Sequence, residues 1–130
     1  MRSAFALVTL LSLSGCMTVP RSDVATPVMG AVGFGQTAHV GPYLVRPIAL
    51  VEDSRCPINA RCIWAGRLVI RATMTLSGGA EQLRTNLTLG SPLTVGPGQL
   101  TLVSGEPGRV AGGEEHPSAR RFTFAYAARR

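Results

Sequence analysis

One stretch of this chain is close to forced in shape. In RLVIRATMTL, residues 67–76, Leu68, Ile70, Ala72, Met74 and Leu76 alternate with Arg67, Val69, Arg71, Thr73 and Thr75. Successive side chains of a β-strand point to opposite faces, so this period of two builds one apolar face and one mostly polar one. Ser77-Gly78-Gly79 follows as a turn. AEQLRTNLTL, residues 80–89, then resumes the alternation, with Leu83, Leu87 and Leu89 on one side and Gln82, Arg84, Asn86 and Thr88 on the other. Residues 67–89 are expected to form an antiparallel hairpin with one buried face.

The same period recurs on both sides of the hairpin. AVGFGQTAHV (31–40) reads as a first strand and YLVRPIALV (43–51) as a second. Pro47 lies inside that second run and has no N–H for a ladder, so it belongs at an edge or a bulge. Downstream, QLTLV supplies Leu100 and Leu102, and RFTFAYA (121–127) turns Phe122, Phe124 and Tyr126 inward. No window carries a helical stripe. Short strands separated by Gly and Pro turns predict an all-β fold: a single small antiparallel β-sandwich or open barrel. The connection GEPGRVAGGEEHPS, residues 105–118, has no periodicity and is long enough to be either functional or mobile; mobile is the expectation.

The N-terminal segment belongs to targeting rather than to the fold. Arg2 precedes the apolar run AFALVTLLSL (4–13), which is shorter than the about 20 residues a membrane-spanning helix needs and suits a secretory signal. Directly after it, Leu13-Ser14-Gly15-Cys16 resembles a bacterial lipobox. The resemblance implies cleavage before Cys16, acylation of that residue and an essentially permanent lipid anchor. In such lipoproteins an Asp after the Cys resembles an inner-membrane retention signal. Here the position is Met17, which implies the outer membrane, on its periplasmic face. The expected organisation is a signal peptide over 1–15, the lipidated Cys16 with a Pro/Ser/Thr-containing tether over 16–30, and a β domain over 31–130.

Composition narrows the chemistry. All 13 basic residues are Arg and none is Lys, which excludes a P-loop lysine, a Schiff-base lysine and a Ser–Lys dyad. The formal charge of +6 falls by one with the loss of Arg2 and favours anionic surfaces. The Arg residues are scattered, with pairs only at Arg120-Arg121 and Arg129-Arg130, and read as solvated strand faces and tail. A nucleic-acid reader would interleave basic residues with exposed aromatics. Because Phe122, Phe124 and Tyr126 alternate as a core face, no nucleic-acid partner is expected. There is no G-x-S-x-G elbow, and VMGAVGFG (28–35) lacks the G-x-G-x-x-G spacing and a following helix. Glu114, Glu115 and His116 form the one polar cluster suited to acid–base work. Adjacent loop residues diverge, however, so a solvated surface is expected. The reading is of a protein that is not an enzyme, with no catalytic residues and no cofactor.

DSRCPINARCIWAG, residues 53–66, is the densest stretch, with two of the three cysteines and the sole tryptophan. Cys56 and Cys62 admit three chemistries. A metal site needs two further ligands, and Cys16 is assigned to lipid while His39 and His116 stand apart. A copper or zinc handling role for Cys56 and Cys62 therefore stays the alternative, with no metal ligand set assigned. A redox centre would favour C-x-x-C beside a βαβ unit rather than C-x5-C among strands. A structural disulfide fits an oxidising compartment and a short Pro-containing ring, and is the expectation. Asp53 suits an Asx-turn, and Gly66 suits the turn into the Arg67 strand. Trp64 is expected to pack over the disulfide or cap the core.

EDSRCPINARCIWAG, residues 52–66, is also similar to a recurring E-D-S-R-C-P…C-x-W-A-G pattern in small secreted bacterial proteins and lipoproteins. The resemblance covers about 15 residues strongly, with VGFGQTAHVG and the Phe/Tyr closing strand matching loosely. It implies a β domain of about 100 residues and brings no activity with it. The functional expectation is a non-catalytic, envelope-anchored module that binds a protein or glycan of the envelope, an inhibitor being one form of it. Its candidate contact surfaces are the corner with Asp53, Arg55, Arg61 and Trp64, and the loop with Glu114, Glu115 and His116.

Overall fold

The computed structural model describes residues 30–79 and 82–129. The expected signal peptide, Cys16 and all of the tether but Gly30 lie outside these residues. The described chain is an all-β sandwich of two antiparallel sheets. The first has the order β1 (Ala38–Val40), β2 (Tyr43–Asp53), β3 (Leu68–Leu76) and β4 (Gln82–Thr88). The second has the order β5 (Leu93–Val95), β6 (Gly98–Glu106) and β7 (Arg121–Ala128). Single bridges, Val32 to Phe122 and Leu89 to Leu102, link the two sheets without closing a barrel.

The alternation explains the packing. On β3, Leu68, Ile70, Ala72 and Met74 are buried against Leu87 of β4, Leu100 and Leu102 of β6, and Phe122 of β7. The expected hairpin is present, with Val69 opposite Thr88 and Thr75 opposite Gln82. Its apolar face ends before the turn, where Leu76 and Leu83 are exposed. Pro47 sits where the β2–β3 register shifts, with a second shift between Leu50 and Glu52. The missing N–H is thus absorbed by a bulge. Pro47 keeps its acceptor in use, taking a hydrogen bond from the Gly35 N–H at 2.8 Å.

Two expectations need correction. The run 31–40 is not one strand, because a turn at Phe34-Gly35, with Gly35 at φ +77°, splits it into the Val32 bridge and the short β1. Phe34 instead packs its ring against Phe122 at a centroid distance of 4.9 Å. The 105–118 connection is also not a free loop. It carries a turn over Val110–Gly113 and a single 3-10 turn at Pro117–Ala119, and is held along its length by contacts to the cysteine corner.

Gly105 lies on β6 beside Phe122, and a Cβ there would collide with the Leu68 side chain. The missing side chain lets the two sheets meet at this end, directly beneath the corner. Phe122 is fully buried between them. Phe122→Ala should therefore destabilise the domain by about 3–5 kcal/mol, measured as a shift of the chemical denaturation midpoint with an unchanged slope.

Candidate functional site

The site begins where β2 runs out. Past Asp53 the β2–β3 ladder continues for two more hydrogen bonds, Ser54 N–H to the Arg67 carbonyl at 2.8 Å and Cys56 N–H to the Ala65 carbonyl at 3.3 Å. Residues 53–67 are thus an extension of the hairpin, and the Cys56–Cys62 disulfide closes its tip with 5.8 Å between the Cα atoms. Gly66 makes the return possible. Its φ of +65° is left-handed, and a Cβ would overlap the Ser54 carbonyl.

The base of the tip is a buried ion network. Asp53, with only 3% of its side chain exposed, accepts from Arg55 Nε at 2.8 Å and Arg55 Nη2 at 2.9 Å, and from Arg120 Nη1 at 2.8 Å. The Arg55 N–H also reaches Asp53 Oδ1 at 3.4 Å, the expected Asx-turn. Arg120 donates its other nitrogen to Glu115, which also accepts from Arg109 at 3.4 Å. Arg55 further donates to the Gly105 carbonyl at 2.7 Å, and Arg109 to the Arg55 carbonyl at 3.3 Å.

Backbone contacts finish the seam. The Ile58 N–H bonds the Arg109 carbonyl at 2.8 Å, and Asn59 exchanges two hydrogen bonds with Ala111. Beside it, Glu52 takes Ser54 and Arg67, which hold its carboxyl below the ordinary range. The corner and the 105–120 connection therefore form a single unit.

The candidate residues divide cleanly. Asp53 and Arg55 are committed inward, and Glu115 is paired to Arg109 and Arg120; these three brace the unit. Arg120, read from the sequence as a solvated charge, is 5% exposed and central to it. No local pattern could have identified it, because its partner Asp53 is 67 residues away. Glu114 and His116 point outward, with 3.9 Å between carboxylate and imidazole and both side chains mostly exposed. They share a shallow cavity of about 150 Å³ with Val110, Ala119 and Arg120.

The tip is apolar and uncovered. Trp64 does not cap the core: it is 65% exposed, beside Ile63 at 94% and Ile58 at 76%. Arg61 is exposed among them, and residues 56–67 contain no carboxylate. Ile58 and Ile63 were missed as site residues because an isolated Ile in a turn carries no periodic signal. Cys56 and Cys62 have no thiolate to offer a metal while bonded to each other. Among the described residues no three His, Cys, Asp or Glu side chains converge.

Compared with known proteins, the chain matches no family model, no curated protein and no solved structure.

Burial alone would push the Asp53 carboxyl up, but the hydrogen bonds and charges of Arg55 and Arg120 outweigh it and hold it at about 2, against an ordinary 3.8. A depressed folded-state value contributes stability that is fully present above pH ~4 and lost as pH falls towards ~2. The expected contribution is about 2 kcal/mol. Measured between pH 5 and 2, the stability should fall with Asp53 intact, and Asp53→Ala should flatten that dependence while destabilising the domain by about 3–5 kcal/mol at neutral pH. Reduction of the disulfide should remove about 2 kcal/mol, the value for so short a ring. The far-UV circular dichroism of the sheets should survive it.

Proposed function

We propose that this chain is a non-catalytic module, lipid-anchored through Cys16 at the periplasmic face of an outer membrane, that binds an envelope component through its stapled tip. The observation that carries this reading is the tip itself: Ile58, Ile63 and Trp64 are held in water by a braced, disulfide-closed loop. A soluble protein gains nothing for its own stability from such a patch, and exposed apolar clusters of this kind mark contact surfaces. A tip ordered before binding also avoids most of the entropy loss that a flexible loop suffers on association. The lipobox-like Leu13-Ser14-Gly15-Cys16 supports the anchor, and the similarity of 52–66 to small secreted proteins and lipoproteins supports the compartment.

An inhibitor is the narrower form of the same idea. Of the two candidate carboxylates, Glu115 is spent on Arg109 and Arg120, which leaves the exposed Glu114 beside His116 to face a basic target. The tip, rather than the acidic loop, is the stronger contact surface.

Two measurements test the reading. Cys16→Ser, exported behind a signal peptide whose cleavage does not depend on Cys16, should move the protein from the carbonate-washed membrane fraction to the soluble periplasm; if it fractionates unchanged, the anchor is wrong. A photo-crosslinking residue at Ile63 should give a discrete adduct with an envelope component, whereas the same residue at Arg84, exposed on β4, should give none. Equal labelling from the two positions would remove the tip from consideration as a binding surface.

A further inference from the structure

The bare tip has a specific chemistry, and the fold places it at one particular end of the sandwich. Val32 bridges to Phe122, two residues after Arg120. Arg120 in turn bonds Asp53 at the base of the tip. The described chain therefore joins the domain at the same end that carries residues 53–66. Thirteen residues separate Cys16 from Gly30, and the fourteen peptide links between them span at most roughly 50 Å. The sandwich itself is about 30 Å long, judged from the nine residues of β3 at ~3.3 Å each. A domain held on so short a leash by the end that bears the tip keeps that tip within reach of the bilayer.

The side chains suit that surface. Trp prefers the water–hydrocarbon boundary, where an apolar ring and a polar N–H are both satisfied. Ile58 and Ile63 supply hydrocarbon with no polar atom to desolvate. Arg61 stands between them and Arg67 beyond, both exposed, with no carboxylate from 56 to 67. Arg67 is paired with Glu52, so that among the described residues Arg61 is the cation of the tip without an ion-pair partner. Apolar insertion and attraction to anionic headgroups add for a surface-bound segment. A tip that exposes Ile, Ile, Trp and Arg side by side fits a deformable apolar–anionic surface.

We propose that the tip is a membrane-docking element: Ile58, Ile63 and Trp64 enter the interfacial layer of the bilayer that holds the lipid anchor, and Arg61 pairs with anionic headgroups. This deepens the binding reading above and rests on the tip being its contact surface. Docking orients the sandwich, with the 53–66 end on the membrane and the far end, at Tyr43 and Gly96, away from it.

The chain contains a single Trp, so its fluorescence reports the tip alone. The full chain processed at Cys16 is placed in vesicles of phosphatidylcholine with phosphatidylglycerol, and the Cys16→Ser chain beginning at that residue is titrated with the same vesicles. The expected result is a blue-shifted Trp64 emission, quenched by lipids brominated high on the acyl chain. Ile63→Ser and Ile58→Ser should each weaken partitioning of the unanchored chain about tenfold. Arg61→Ala should weaken it roughly fivefold, and only with anionic lipid. Unchanged circular dichroism keeps the variants interpretable, since neither Ile contributes to the core.

Trp64 emission that stays that of a water-exposed indole, unquenched in the anchored chain, would overturn docking. If the Ile63 photo-adduct in cells is then a protein, the tip is a protein-binding surface and only the lipid assignment falls. If Cys16→Ser leaves fractionation unchanged in cells while Trp64 still partitions into vesicles, the anchor fails and the docking stands.

Discussion

A carboxylate removed from water must be met by cations or the fold does not form around it, and Asp53 is such a group. Burial of an unpaired charge costs several kcal/mol, more than most single contacts return. Arg55 answers from two residues away and Arg120 from the start of the closing strand. The guanidinium forks then carry the constraint outward, Arg55 to the β6 carbonyl of Gly105 and Arg120 to Glu115. Strand β2, the end of β6, the long connection and β7 are thereby tied at one point. Among the described residues no buried side-chain nitrogen or oxygen is left without a partner. A network of this kind is favourable only when complete.

The network also explains why a chain with so short a disulfide ring has a well-defined corner. The ring constrains only residues 56–62 among themselves. Its placement on the sandwich comes from the ladder bonds at Ser54 and Cys56, from Gly66, and from the seam that Ile58, Asn59, Arg109 and Ala111 form. Beneath it, Gly105 allows Leu68 and Phe122 to close the core. The polar unit thus stands on a fully buried part of the hydrophobic interior, at Leu68 and Phe122, and each fixes the other in place.

Much of the fold was readable because its signals are local. The hairpin follows from period-two alternation over Leu68–Leu89, the bulge at Pro47 from a missing N–H, and the inward Phe122 from its spacing. The disulfide was reached through compartment and ring chemistry. What escaped depends on distance or on shape. Arg120 looks like any surface arginine until a residue 67 positions earlier is brought against it. The connection over 105–118 looks structureless because its partners lie in the corner rather than in itself. Trp64 is expected against the disulfide or at the edge of the core because a large ring gains from such contact, and nothing in the string of letters says that the corner points away from the core. The split of residues 31–40 has the same cause: Phe34 leaves the strand to pack on Phe122, a tertiary gain that outweighs its β propensity.

Stability and surface exposure are set by different residues of the same fifteen-residue stretch. Asp53, Arg55, Cys56, Cys62 and Gly66 build the mount, and Ile58, Arg61, Ile63 and Trp64 are displayed on it with almost no contact to the core. Substitutions in the displayed set therefore pass without loss of folding, while those in the mount do not. Such a division makes the corner a cassette: its exposed letters can change one at a time on a frame that does not depend on them.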